Sequence, residues 1–305
     1  MSGRKKSIRV LYIMGYGRSG STVIESMLNS HPNVIACGEL EYLLERGLDD
    51  SQSCSCGQSI MDCNLWKKAA GLYKKKIEKH PDWRKVKRRE ERLMSVVRSF
   101  FSKKQSEVYA SVESDLFYDI VNEHKELHIV IDSSKSPGRA LALKRNGVDV
   151  RVLFLVRDSR AVTYSWAKKV KRPEIQAAES FMPRYPYWRS AIYWMLYNMI
   201  SLVVVKKYFS ESYVIQKYEN IFLDPGGFIT KLEKLTGEKF GSIKPKLLGE
   251  VDIPFDAHTI SGNPVRFAKN IKFSKDSRWE NEMNKFQKGI VTIISYPLLK
   301  VFRYI

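Results

Sequence analysis

With 305 residues, 44% of them apolar, the chain is long enough for one large domain carrying an insertion or for two modest domains. A formal net charge of +19 implies an anionic partner, whether a nucleotide, an acidic acceptor, a nucleic acid or a lipid surface, and charge alone does not choose among them. The longest apolar stretch, Ala191 to Val205, is broken by Asn198 and Ser201 and falls short of the ~20 residues a membrane span needs. Residues 1–7 are polar and basic and leave no room for an apolar leader, so a cytoplasmic chain without a membrane span is expected.

The first predicted unit is a strand, a tight loop and a helix over residues 9–28. Gly15, Gly17 and Gly20 permit positive φ and close backbone approach, and Ser19, Gly20, Ser21 and Thr22 then set N–H groups at a helix N-terminus, a site for phosphate or sulfate. A nucleotide-triphosphate P-loop would carry Lys before its Ser/Thr; here Gly20 is followed directly by Ser21, and the cation, Arg18, comes earlier. Pro32 ends the helix and makes His31 a turn residue. Val34 to Cys37 reads as a short buried strand. It leads to Glu39 and Glu41, which places carboxylates near the carboxyl ends of a sheet, where ligands of open α/β folds sit.

Cys54, Cys56 and Cys63 follow, with Cys37 upstream; this is not a usual zinc spacing, and thiols of a cytoplasmic chain are reduced by default. No metal is expected, metal binding and a disulfide in an oxidising compartment being the alternatives. From Leu65 to Glu126 the pattern is helical and basic, so residues 47–126 form a helical insertion between strands, expected to set substrate choice. Its charge runs, Lys74 to Lys76 and Arg84 to Arg89, read first as a solvated helix face.

The sheet resumes at Leu127 to Ile131, and Asp132 to Pro137 opens a helix reaching about Asn146, with Gly147 as its terminator. Lys135 sits in that loop, placed to face the same anion as Arg18. A further strand, Arg151 to Val156, ends in Arg157 and enters a helix that Asp158 or Ser159 can cap and that carries Ser165. Ala191 to Val205 reads as a core helix and Tyr213 to Gln216 as a strand; packing is the expected role of Trp194, Tyr218 and Glu219.

Arg18-Ser19-Gly20-Ser21-Thr22 resembles the 5′-phosphosulfate loop of sulfotransferases, and Arg157 with Ser165 resembles the pair with which that family holds the 3′-phosphate of its nucleotide. Tyr218-Glu219-Asn220 is similar to a Tyr-Glu-Asp segment of the family, with Asn in place of Asp, and the stretch from His258 to Phe267 is similar to a Gly-Asn and Arg segment of its bacterial members, in which Arg266 would close over nucleotide. Some bacterial members also carry a Cys-x-Cys-Gly segment followed by Cys and Trp, here Trp66, as a structural loop. The matches run from residue 10 to about 280, with the helical insertion uncovered.

The resemblance implies one α/β domain over residues 1–305, a P-loop-like three-layer fold around a mostly parallel sheet. It implies 3′-phosphoadenosine 5′-phosphosulfate (PAPS) as cosubstrate without a metal, and a hydroxyl or amine acceptor on a glycan, peptide or small molecule. Arg18, Ser19, Gly20, Ser21, Thr22, Arg157, Ser165 and Arg266 would bind nucleotide, and Arg18, Lys135 and Glu39 would be catalytic. Glu39 is chosen as base because Cys37-Gly38-Glu39 resembles a Cys-Gly-Glu segment of tyrosylprotein sulfotransferases, with Glu41 as the fallback. Acceptor choice is assigned to the insertion and to Lys168–Arg189. A P-loop kinase or NTPase and a basic, non-catalytic binder of anionic polymers or membranes are the alternatives; nucleic acid is not an expected partner, since aromatics other than Trp83 are not interleaved among the basic helices.

Overall fold

Apolar, β-branched runs form five strands, β1 (Arg9–Met14), β2 (Val34–Ala36), β3 (Ile129–Lys135), β4 (Asp149–Val156) and β5 (Tyr213–Lys217), in a computed structural model that describes residues 8–102, 104–122, 127–171, 181–249, 253–254, 257–271 and 274–305. The strands pair in parallel in the order β2-β3-β1-β4-β5. Parallel sheets need cover on both faces, and alternate residues of β1 supply two separate cores: Val10, Tyr12 and Met14 on one face, Leu11 and Ile13 on the other. The result is a three-layer α/β fold.

Because β1 lies between β3 and β4, with Met14 in register with both Lys135 and Phe154, the loops leaving these three strands emerge side by side. α1 (Ser21–Asn29) follows β1. Among the described residues four α-helices lie between β2 and β3: α2 (Trp66–Glu78), α3 (Trp83–Glu91), α4 (Leu93–Ser99) and α5 (Glu107–Asn122). Residues 1–7, and 103 and 123–126 of the expected insertion, lie outside the described residues, as do 172–180 of the segment assigned to acceptor choice. Lys74, Lys75, Arg84, Lys85, Arg88 and Arg89 face solvent, whereas Lys87 is buried.

β3 runs four residues beyond the end expected from its apolar run, taking in Asp132, Ser133, Ser134 and Lys135. A buried carboxylate is tolerated there because Asp132 accepts from Arg139 Nε at 2.9 Å and from the Ser134 N–H at 3.0 Å. Arg139, on α6 (Pro137–Arg145), is fully buried and also pairs with Glu113 at 2.9 Å and with Glu91, which fastens the insertion to the sheet. Gly138 lets α6 and α3 touch, since a Cβ there would overlap the Glu91 carbonyl oxygen.

α7 (Ser159–Ala167) follows β4, and α8 (Tyr187–Val204) starts four residues before the expected Ala191. It buries Trp194 and Asn198 but exposes Trp188, Leu196, Met199 and Val203, so only one face of it belongs to the core. α9 (Tyr218–Leu223), α10 (Pro225–Thr236) and α11 (Lys244–Leu247) come next, then the antiparallel pair β6 (Ile253–Pro254) and β7 (Asn270–Ile271), and finally α12 (Trp279–Glu282) and α13 (Lys285–Val301). Among the described residues no helix is long and apolar enough to cross a membrane.

Candidate active site

The chain leaves β1 flush against β4: Gly15 has φ 145°, and a Cβ there would overlap the carbonyl oxygen of Leu155. Arg18 (φ 71°) and Gly20 (φ 91°) then turn it into α1, whose first N–H groups no side chain among the described residues caps. An uncapped helix start beneath a glycine turn is a cradle for an anion. The Ser19 hydroxyl is already committed to the Tyr16 carbonyl at 2.5 Å, so Ser19 has its backbone N–H to offer; Ser21 is buried and Thr22 half-buried. The Arg18 guanidinium lies over the Trp166 ring at 5.0 Å and donates to Met182 Sδ at 3.0 Å. Its Nε is buried without a hydrogen-bond partner among the described residues. Burial lowers the Arg18 pKa, and the Glu39 carboxylate partly offsets this.

Arg157, just past the end of β4, donates from Nη1 to the Arg18 carbonyl at 3.3 Å and from Nη2 to the Asp276 carbonyl at 3.0 Å. Its guanidinium sits 4.9 Å from the Tyr218 ring centroid, and its Nε too is buried and unpartnered. Three residues expected only to pack brace this loop. Trp194 Nε1 donates to the Arg157 carbonyl at 3.1 Å; Glu219 accepts from the Asp158 N–H at 3.1 Å and from the Tyr304 hydroxyl at 2.6 Å; the Tyr218 ring fills the space a Cβ on Gly20 would occupy. Asp158 is the cap of α7, accepting from the Arg160 N–H at 2.9 Å, and Ser165 lies half-buried on that helix.

Beyond β2, Gly38 (φ 75°) bridges to Ile260, and the Glu39 N–H donates to the Ile260 carbonyl at 2.8 Å. Lys135 Nζ is ion-paired with Glu39 Oε1 and donates to the Ser133 carbonyl at 3.0 Å. Ser261 Oγ donates to Glu39 Oε2 at 3.2 Å, and Arg46 hydrogen-bonds Ser261 while standing 4.0 Å from the same carboxylate. A Cβ on Gly262 would lie 3.9 Å from both Glu39 Oε1 and Thr22 Oγ1, so the carboxylate and the anion loop face one point. Burial pushes the Glu39 carboxyl up, but the Lys135 charge and hydrogen bond, then Arg46 and Ser261, outweigh it and hold the pKa below the ordinary carboxylate value. Arg18, Lys135 and Ser261 all have positive φ, a conformation that costs roughly 1–3 kcal/mol per non-glycine residue and is kept where the surroundings enforce it.

Glu41 belongs to a different environment. Its N–H donates to Ser134 Oγ at 2.9 Å and its carbonyl accepts from Lys87, while burial, then the nearby Glu91, pushes its carboxyl up to about 8. It lines, with Arg46, Lys87, Arg88, Glu91 and Arg92, a mixed-charge cleft of about 470 Å³ between the end of β2 and the insertion.

The loop of Ser19 to Thr22, Arg18, Lys135 and Glu39 are thus neighbours, and Arg157 joins them through the Arg18 carbonyl. Arg266 is not among them. It is 1% exposed and donates to the carbonyls of Thr259 at 2.8 Å and Ser53 at 3.1 Å, which ties the C-terminal segment to the cysteine loop. Sequence reading missed Arg46, Ser261 and the buried Glu25 of α1. Ser261 is 222 positions from Glu39, and nothing local marks such a partner.

Residues 11–241 of the chain match the family described as the sulfotransferase family. Among solved structures, the chain is similar to the sulfotransferase domain of the olefin synthase of Synechococcus PCC 7002, with 17% identity over 98% of this chain and 97% of that one and a TM-score of 0.53. It is also similar to the sulfotransferase domain from the curacin biosynthetic pathway, with 18% identity, 97% and 98% coverage and a TM-score of 0.52. At such identities the likeness speaks for the fold, which is P-loop-like. No curated protein sequence matches the chain.

Proposed function

The chain belongs to the sulfotransferase family, and we propose that it draws its sulfuryl group from PAPS at the cradle formed by the loops after β1, β3 and β4. The residues present fit such a nucleotide: two buried guanidinium Nε atoms, on Arg18 and Arg157, have no hydrogen-bond partner among the described residues, and they flank a helix N-terminus that no described side chain caps. Arg18, the N–H groups of Ser19 to Thr22 and Lys135 bind the 5′-phosphosulfate, and Arg157 with Ser165 binds the 3′-phosphate. Arg266 contributes only through the segment it anchors.

Transfer is an in-line displacement. As the acceptor oxygen forms its bond to sulfur, Glu39 takes the acceptor proton; the bond from sulfur to the 5′-phosphate oxygen breaks, and its electron pair stays on that oxygen. Positive groups fixed around the leaving oxygen lower the barrier, each well-aimed donor by about 2.7–4 kcal/mol in comparable sites. The observation that carries this reading is the Lys135–Glu39 ion pair, whose carboxylate Oε1 lies, like Thr22 Oγ1 of the anion loop, 3.9 Å from where a Cβ on Gly262 would stand. Glu39 is favoured over Glu41 because it is ionised at neutral pH and faces the loop. The adjoining cleft admits a polar acceptor hydroxyl or amine past Arg46. Four unpaired cysteines favour a reducing, cytoplasmic setting.

Incubation with sulfur-labelled PAPS and a panel of glycan, peptide and small-molecule acceptors tests the reading. Label transfer that disappears in Glu39→Gln and survives in Glu41→Gln supports it. Calorimetry showing no binding of adenosine 3′,5′-bisphosphate at high micromolar concentration would overturn it.

A further inference from the structure

Three cysteines of the loop before α2 converge with a histidine from the far end of the chain. Cys63 Sγ lies 3.7 Å from Cys56 Sγ and 3.7 Å from Cys54 Sγ, while His258 Nδ1 lies 3.1 Å from Cys63 Sγ and 3.8 Å from Cys54 Sγ. All four ligand atoms fall within 4.8 Å of one another. A tetrahedral zinc with bonds of about 2.3 Å to sulfur and about 2.0–2.1 Å to nitrogen requires sulfur–sulfur separations of about 3.8 Å and sulfur–nitrogen separations of about 3.6 Å. A disulfide would instead need its sulfurs at about 2.0 Å. We propose that Cys54, Cys56, Cys63 and His258 form a structural zinc site that clips the cysteine loop to residues 257–262.

The backbone is arranged for such a site. Gly57 (φ 87°) closes a turn in which its N–H donates to the Cys54 carbonyl at 2.9 Å, bringing Cys56 back beside Cys54. Cys63 lies three residues before the start of α2, its carbonyl accepting from the Trp66 and Lys67 N–H groups at 3.0 and 2.8 Å. Ser55, between the first two thiols, docks the histidine's segment: its N–H donates to the Thr259 carbonyl at 3.2 Å and its Oγ accepts from the Thr259 N–H at 2.8 Å. Trp66 Nε1 donates to the His258 carbonyl at 2.7 Å and fixes the residue that presents the imidazole. Cys54 and Cys63 are buried and Cys56 is exposed, which leaves an approach for the ion. Three thiolates and an imidazole in tetrahedral array select zinc among the common divalent ions and leave no open position for chemistry.

The sequence spacing did not suggest zinc because the fourth ligand is 195 positions from Cys63. Three residues beyond His258, Ser261 hydrogen-bonds Glu39, and between them Ile260 exchanges backbone hydrogen bonds with Cys37 and Glu39. The zinc clip therefore fixes the segment that holds the proposed base. That consequence rests on the sulfotransferase mechanism above; the metal site itself rests on ligand geometry and is read without any activity.

The test is metal analysis of the full chain, purified under reducing conditions without chelator. Plasma mass spectrometry should give about one zinc per chain, lost in Cys63→Ser and reduced in His258→Gln. After zinc is stripped, cobalt(II) titrated into the wild-type chain should give the intense visible bands of a tetrahedral site with thiolate charge transfer in the near ultraviolet, which guards against a variant that merely misfolds. Absence of zinc after reconstitution, an octahedral cobalt spectrum, unchanged zinc in Cys63→Ser, or a disulfide among these thiols in the native chain would each overturn the proposal. If the clip positions Glu39, the stripped enzyme loses kcat with little change in nucleotide affinity, and zinc restores it; equal loss of both would refute that consequence while leaving the metal site intact.

Discussion

Arg157 Nη1 donates to the main-chain oxygen of Arg18 at 3.3 Å, so the loop after β1 and the loop after β4 share one guanidinium. Arg157→Ala removes a charged donor and the brace between the loops together. Hydrogen bonds to charged groups contribute about 1.5–3 kcal/mol, so adenosine 3′,5′-bisphosphate should bind roughly 10- to 100-fold more weakly by calorimetry. Arg18→Ala keeps the main-chain oxygen that Arg157 holds, so the two side chains couple through the nucleotide they share, and the loss in Arg18→Ala/Arg157→Ala should differ from the sum of the single losses. Strict additivity would show that the loops act separately.

Glu39 and Glu41 are two residues apart, yet their environments push them in opposite directions, and the pH profile distinguishes them. A base must be ionised to work, so kcat/KM falls as pH drops through the pKa of the free enzyme's base. With Glu39 as base, the acid limb lies below the ordinary carboxylate value of 4.5. With Glu41 as base it lies near pH 8, where burial and Glu91 set its carboxyl. Lys135→Ala deletes the foremost influence lowering the Glu39 pKa, leaves burial dominant and should move the limb to higher pH. A limb near pH 8 in the wild-type enzyme would transfer the role to Glu41.

The strand-loop-helix at the start of the chain was legible because glycine chemistry and apolar periodicity are local properties, and so was the strand that ends before Arg157. What was not legible came from long-range pairing. β3 extends through Asp132 because Arg139, seven residues on, neutralises it, and apolar pattern cannot register a buried ion pair. Arg266 looked like a nucleotide contact by its segment, but two backbone carbonyls, one of them 213 positions away, hold it. The cysteines had an unusual spacing only while His258 was out of view.

Arg139 should be a large single contributor to stability. Its three carboxylate partners, Asp132, Glu91 and Glu113, are all buried; Glu91 keeps Lys87 at 3.3 Å, so Arg139→Met strands Asp132 and Glu113 without an ion-pair partner among the described residues. Breaking a buried pair from one side costs about 3–5 kcal/mol. Urea unfolding should show a midpoint lowered by a corresponding amount, with the insertion helices loosened first in hydrogen exchange of α3 and α5. A midpoint within experimental scatter of the wild type would mean that the insertion is held by its apolar contacts alone.

Glu25 offers a pH-dependent stability whose sign is fixed by its surroundings. It is 2% exposed on α1, and burial raises its carboxyl from 4.5 to about 7, with Ser133 and Lys135 pulling part of the way back. The folded chain therefore holds the proton more tightly than the unfolded chain. Between pH 4.5 and about 7 the unfolded state releases it first, so stability falls as pH rises across that window and levels off above it. At 1.36 kcal/mol per unit the loss at pH 8 is about 3 kcal/mol. Glu25→Gln keeps the shape and has no charge to expose, so its urea midpoint should match the wild type near pH 4.5 and exceed it increasingly up to pH 7. Midpoints that stay parallel across that range would mean that Glu25 is ionised in the fold, stabilised by Lys135 from across the sheet end.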